Sequence, residues 1–199
     1  EIKNKITSKI SDLCLANNIK LIYLSSMQVY EDYGIGNISY NSNINLKNSY
    51  SKLHYSSEKI IITKFLNHKK MFTILRMGNV FGFKKCNDIR DIESNLIHSL
   101  CLSAFKKKSI IISNGSIQRT FIPSQIFVNI INLIINKNLF NNSIENISYK
   151  NSNLKEIAKI IQKRVYLLFK FNVKIKIENF KYKKKFKIST NKFFKFNLT

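Results

Sequence analysis

From Ile6 to Asn17 the apolar residues Ile6, Ile10, Leu13, Cys14 and Ala16 recur at three- and four-residue steps, the spacing of one helical face. The run "IKLIYLSS" that follows is short, apolar and rich in strand formers, as in a strand buried on both faces. Residues 31–48 are polar and crowded with Asn and Ser, which predicts a loop. Ser51 to Asn67 reads as a helix carrying "KIIITKFL", and "FTILRMGNVFG" as a second buried strand running into a turn at Gly78 and Gly82. Downstream the pattern predicts a helix over 91–107, a strand at "SIIIS" (109–113) and a turn at "NGS" (114–116). A helix over 124–137, a short strand and loop at "ENISYKN", an amphipathic helix over 153–169 and an alternating strand at "NVKIKIENF" complete it. No internal repeat or clean linker divides the chain. Strands alternating with helices imply an α/β fold on a parallel sheet, with a more irregular C-terminal part.

A chain of 199 residues is long enough to bury a real core. Lys and Arg number 34 against 11 Asp and Glu, a net charge of +23 that would ordinarily point to nucleic acid or an anionic membrane surface. The lysines, however, are spread along the whole chain, and no helix-turn-helix or zinc motif accompanies them. Asn, Lys and Ile crowd a sequence with one Pro and no Trp, as an AT-rich coding sequence tends to produce. The charge is therefore read as compositional, and a nucleic-acid partner is not expected. The run "KYKKKFK" at 181–187 is the one local patch suited to a phosphate backbone, although its alternation also fits a strand or solvated edge. Cys14, Cys86 and Cys101 are odd in number and far apart, which indicates neither a disulfide framework nor a metal site. A reducing cytoplasm is the simplest compartment. The longest apolar run, "IFVNIINLII", is broken by asparagines and falls short of the roughly 18 residues of a membrane span. Nothing at the start reads as a signal peptide, and the chain opens without Met, as if inside a longer protein.

In parallel α/β sheets, ligands lie beyond the carboxyl ends of the strands. "YLSSMQVY" ends the first strand, Tyr50 opens the next helix, and "ILRMGNVFG" ends the following strand, so Ser26 and Asn79 should face one crevice with a tyrosine close by. The stretch "SYSKLHYSSEK" offers two tyrosines, each followed four residues later by a base: Tyr50 with His54, and Tyr55 with Lys59.

Taken together these stretches resemble the extended short-chain dehydrogenase/reductases, specifically the NAD-dependent epimerase/dehydratase family that acts on nucleotide sugars. "IKLIYLSSMQVYED" is similar to the family's strand ending in Ser-Ser, which puts the catalytic hydroxyl at Ser26. "SYSKLHYSSEKI" resembles its Tyr-x-x-x-Lys helix, "TILRMGNVFG" its Leu-Arg-x-x-Asn-x-x-Gly segment, and "SNGSIQRTFI" its Gly-(Asp/Asn)-Gly-Ser-x-x-Arg-Asp-Phe-Ile segment. "NISYKNSNLKEIAKII" is similar to the stretch that reads Asn-Ile-Gly before a helix. The resemblance implies the C-terminal half of a Rossmann-type parallel sheet in residues 1–83, and in 84–199 a small α+β substrate-binding part with some segments returning to the sheet. The family's glycine-rich turn after its first strand is absent, since no Gly precedes Gly34. The chain is accordingly expected to be a C-terminal portion, inactive by itself.

Register selects between the tyrosines. With Tyr50 in the family's place, His54 falls on its lysine and Glu58 on its usual glutamate, and 24 positions separate Ser26 from Tyr50. Choosing Tyr55 keeps Lys59 but loses the glutamate and lengthens the gap. The resemblance thus implies Tyr50 as general acid/base, Ser26 as its hydroxyl partner and His54 in place of the ribose-binding lysine. NAD or NADP would be bound by Ser26, Tyr50, His54, Met77 and Gly78, and the nucleotide sugar by Asn79, Asn95, Leu96 and Arg119; no metal is implied. A second copy of the chain is an optional partner and a membrane is not one. A phenol ionises near pH 10, so as a base it needs a stabilised anion, whereas a histidine of pKa about 6.5 is mostly neutral at pH 7. His54 is then a tolerated variant, a mark of a degraded site, or a sign of chemistry that needs little activation of Tyr. Met27 and Gln28 stand where dehydratase members carry Asp-Glu, which favours epimerase or reductase chemistry in sugar-nucleotide or surface-polysaccharide metabolism. The alternative is a catalytically impaired relative or a basic nucleotide- or RNA-binding module on the same scaffold. Thr120 stands where the family often has Asp, and "PSQI" at 123–126 where an acidic stretch is usual.

Overall fold

The computed structural model describes residues 2–30, 36–82, 96–179 and 186–188. Helix α1 (Ile2–Ala16) leads into strand β1 (Leu21–Ser26), a single 3-10 turn (Met27–Tyr30) and the short β2 (Gly36–Ile38). Helix α2 (Ser49–Asn67), β3 (Phe72–Met77) and β4 (Asn79–Phe81) follow. Next come α3 (Leu96–Lys107), β5 (Ser109–Asn114), β6 (Gln118–Pro123) and α4 (Ser124–Asn136). The chain continues through β7 (Ser143–Ile147), β8 (Lys150–Asn153), α5 (Leu154–Phe169), β9 (Lys174–Asn179) and β10 (Phe186–Ile188).

Strand β3 is the middle strand of a three-stranded parallel sheet. It pairs in parallel with β1, in a register that sets Leu21 against Phe72 and Ser26 against Met77, and on its other side with β7, Thr73 against Ser143. Successive side chains of a strand point to opposite faces. Phe72 and Ile74 therefore pack with Ile61 and Phe65 of α2, while Leu75 packs with Ile126, Ile130 and Ile134 of α4 and with Ile147. Phe72 to Arg76 are all buried, the two-sided covering that a parallel strand requires.

The expectation of a strand buried on both faces holds for β3 and fails for β1, where Leu24 is 40% exposed. Among the described residues β1 has a strand neighbour on one side alone. Helix α1 also departs from simple patterning. Of its predicted stripe, Ile6, Ile10, Leu13 and Ala16 are exposed and Cys14 alone is partly buried, while the buried positions are Thr7 and Ser11. The first half of the seam between α1 and α2 is polar: Thr7 donates to Ser57 Oγ (3.2 Å), and Asn4 Oδ1 accepts from Ser56 (2.9 Å) and Ser57 (3.2 Å), whereas Cys14 and Leu15 pack on the apolar cluster of Ile61 and Phe65.

A smaller part adjoins the sheet. Strand β6 pairs in parallel with β4 and antiparallel with β8, and β5 pairs in parallel with β9. Helices α3 and α5 cover β5 with Leu100, Ala104, Ile161 and Val165, packed on Ile110 and Ile112. Asn153 begins α5 with a capping box: its side chain accepts from Glu156 N–H, and the Glu156 carboxylate accepts from the Asn153 N–H. The α/β class and parallel sheet are as the pattern predicts. Strand β6 was not foreseen, because Gln118, Arg119 and Thr120 lack the apolar alternation of a strand; β2 lies within the predicted loop. The basic run at 181–187 falls largely outside the described residues.

Candidate active site

Strands β1 and β3 end side by side, and the chain leaves them differently. After Ser26 it tightens into the 3-10 turn, where Ser26 Oγ accepts from the Gln28 N–H (3.2 Å) and caps it. After Met77 it passes through Gly78 straight into β4. A Cβ on Gly78 would lie 2.6 Å from Thr120 Cγ2 and 2.8 Å from the Thr120 carbonyl oxygen, so only glycine lets β6 approach this closely. Asn79 secures the approach by donating from Nδ2 to the same carbonyl (3.0 Å). Thr120 is fully buried and shares a hydrogen bond with Ser148, which makes the residue at the family's aspartate position a packing and tethering one.

These ends bound a cleft of about 360 Å³. Ser26 enters it from β1, Tyr50 from the first turn of α2, Met77 and Gly78 from the end of β3, and Asn79 from β4. Leu96 closes it from α3 and Arg119 from β6. Seven of the residues named from sequence therefore share one surface. Gln28, at the position where dehydratase members carry an acid, also lines it, and Ser25 and Val80, not anticipated, complete the lining. Asn95 lies outside the described residues. Tyr50 is half exposed, held at the helix entrance by Asn48, whose side chain accepts from Ser51 N–H (2.8 Å). Tyr55 points elsewhere: it packs on the Met27, Val29, Tyr30 and Ile38 cluster, with the Lys59 ammonium over its ring (4.8 Å). Met27 is wholly buried, which leaves Gln28 as the one side chain of that pair on the cleft.

His54 stands behind Tyr50, not on the cleft lining. The two rings are 4.5 Å apart, one helical turn along α2, and His54 is 7% exposed. Its Nε2 lies 2.9 Å from Lys3 Nζ, and its Nδ1 faces the Tyr23 hydroxyl at 3.4 Å. An ammonium can only donate, so Nε2 accepts and the ring proton sits on Nδ1. Burial, and then the Lys3 charge, lower the His54 pKa to about 4. Burial also pulls the Lys3 ammonium below the ordinary lysine range and pushes the Tyr23 phenol above its own. His54 is thus a neutral imidazole with a cation at its outer edge.

Glu58, one turn further on, is fully buried and takes both ends of the Arg76 guanidinium: Nε to Oε1 (3.0 Å) and Nη2 to Oε2 (2.7 Å). Ser25 donates to Oε1 (2.5 Å), Arg76 Nη1 donates to the Tyr30 hydroxyl (2.6 Å), and Tyr30 donates to Asn146 (2.9 Å). Burial works against the Arg76 charge, yet the Glu58 hydrogen bonds and carboxylate outweigh it and raise its pKa. This network ties α2, β1, β3 and β7 together directly beneath the cleft. Among the described residues no group of three or more His, Cys, Asp and Glu could hold a metal ion, and no helix is long and apolar enough to cross a membrane.

Solved structures with this fold include UDP-glucuronic acid 4-epimerase from Bacillus cereus in complex with NAD, at TM-score 0.76 and 19% identity over 94% of this chain and 58% of that one. UDP-N-acetylglucosamine 4-epimerase from Methanobrevibacter ruminantium, in complex with UDP-N-acetylmuramic acid, aligns at TM-score 0.75 and 19% identity over 96% and 61%. dTDP-glucose 4,6-dehydratase from Bacillus anthracis in complex with NAD gives TM-score 0.74 and 18% identity over 92% and 57%. The chain spans less than two thirds of the length of each. No curated protein matches the sequence significantly. A sequence profile of one family does match, over residues 1–147, the stretch that supplies every cleft residue named above. By that match the chain belongs to the NAD-dependent epimerase/dehydratase family.

Proposed function

We propose that this chain carries the catalytic and sugar-facing half of an NAD- or NADP-dependent nucleotide-sugar epimerase or reductase. The observation that carries the reading is the convergence of Ser26, Tyr50, Gly78, Asn79 and Arg119 on one cleft at the carboxyl ends of two parallel strands. The donor set suits the cofactor: hydroxyls at Ser26 and Tyr50 for a ribose or sugar hydroxyl, and an apolar wall at Met77 and Val80 for a flat ring. When bound, NAD supplies a hydride acceptor.

Tyr50 removes the proton from the sugar hydroxyl under oxidation and returns it on reduction. Ser26, capped onto the 3-10 turn and so fixed in place, holds that hydroxyl toward the phenol. Asn79 and Arg119 face the diphosphate, for which the guanidinium offers paired donors. Gln28 cannot ionise and Met27 is buried, so among the described residues neither position supplies a carboxylic acid for eliminating water. That supports epimerisation or reduction over dehydration. A catalytically impaired relative is the second reading, favoured by the neutral His54 behind the tyrosine.

One experiment addresses both. In a full-length protein containing this chain, UDP- and dTDP-sugars should reduce bound NAD, and Tyr50→Phe should lower that rate by roughly 10²–10⁴-fold with nucleotide-sugar binding retained. Tight sugar binding with no hydride transfer in the unmutated protein would establish the impaired relative instead.

A further inference from the structure

A phenol that gives and takes protons needs positive charge close by, and His54 does not supply it. Its ring is neutral, buried and occupied at both nitrogens. A cation does reach both rings, from a different helix. Lys3 of α1 reaches across the seam to donate to His54 Nε2 at 2.9 Å, and the same ammonium lies 5.7 Å from the centre of the Tyr50 ring. We propose that Lys3 is the cationic positioning residue of this site, supplying across the α1–α2 seam the charge that His54 lacks and holding the imidazole against Tyr50. The inference rests on Tyr50 being the acid/base.

Among the described residues, the other charged and titratable groups that touch the pair or line the cleft do not replace it. Tyr23 of β1 is a half-buried neutral phenol facing Nδ1. Glu58, on α2 itself, is an anion already matched by Arg76. Arg119 lines the cleft from β6, on the side open to ligand. Lys3 is also placed by more than its own flexible stem. Asn4, the next residue, accepts from Ser56 and Ser57, and Thr7 donates to Ser57, so the α1 backbone is registered on the tyrosine helix. A lysine one turn away on α2 and a lysine on the adjoining helix can deliver the same ammonium to the same phenol. The arrangement here divides one residue's work between two: charge from Lys3, and ring contact from His54.

The test follows the ¹³C resonance of the tyrosine carbon that bears the hydroxyl, in the full-length protein, assigned to Tyr50 by its loss in Tyr50→Phe. Lys3→Met should move the midpoint of that resonance upward, because a phenolate loses the positive charge beside its ring. Lys3→Arg should restore it, which a purely structural loss would not do. An unmoved midpoint in Lys3→Met overturns the inference, as does an equal shift in Lys3→Arg and Lys3→Met. The readout needs no turnover, so failure of hydride transfer would count against the proposed function and not against the role of Lys3.

Discussion

Acid should loosen this protein through His54, and the size of the effect follows from its surroundings. The imidazole has a pKa of about 4 in the fold, against about 6.5 for an unperturbed histidine, because burial and then Lys3 oppose its charge. Between those values the unfolded chain binds the proton and the folded chain does not, so stability rises with pH across the window. The contribution is complete above about pH 6.5, falls away as pH drops, and levels off below about pH 4. Two and a half units correspond to about 3 kcal/mol, a sizeable part of the roughly 5–15 kcal/mol that holds a typical domain. Urea unfolding of the wild type and of His54→Gln, compared across the window, isolates the effect. Carboxylates and the other histidines titrate in both proteins and cancel in the difference. Replacing the ring adds an offset from lost contact with Tyr50, but that offset does not depend on pH. The stability difference should therefore change by about 1.4 kcal/mol per pH unit in the middle of the window. Two curves that run parallel from neutral to acid pH would refute the account of a buried neutral His54.

Glu58→Gln should cost roughly 3–5 kcal/mol in denaturant unfolding, because it leaves the Arg76 guanidinium buried without its anion; Glu58→Gln with Arg76→Met should regain much of that. Gly78→Ala should destabilise by roughly 1–3 kcal/mol, since the new methyl would sit inside van der Waals contact of Thr120. Adding Thr120→Ser removes the nearest atom but not the carbonyl 2.8 Å away, so thermal unfolding of the double variant should show partial recovery at most.

Most of the fold was legible because its strongest signals are local. The run "FTILRM" is apolar on both faces and lies between two strands, and α4 and α5 carry apolar residues at helical spacing that do face the interior. The cleft residues were legible for another reason: Ser26, Tyr50 and Asn79 stand at strand and helix ends, where motif position carries geometry, while Met77 and Gly78 came from the family resemblance. What stayed hidden depends on contacts distant in sequence. Nothing in "EIKNKIT" marks Lys3 as a partner of His54, 51 positions away. The same holds for α1, where periodicity identifies a stripe but cannot say which side is covered; here hydrogen bonds from Thr7 and Asn4 chose the polar one. Strand β6 escaped because its polar residues satisfy partners in a tether: Thr120 with Asn79 and Ser148.

The polar seam between α1 and α2 has a mechanical consequence. Greasy helix faces can slip past one another and repack, because dispersion contacts are nearly interchangeable from one turn to the next. A row of directional bonds such as Asn4 to Ser56 and Thr7 to Ser57 is not interchangeable in that way. Slippage by one helical turn, about 5.4 Å, would break all of them at once and carry Lys3 out of reach of His54. The seam therefore works as an alignment key between two helices: small hydroxyl and amide side chains set where an ammonium sits relative to an aromatic ring.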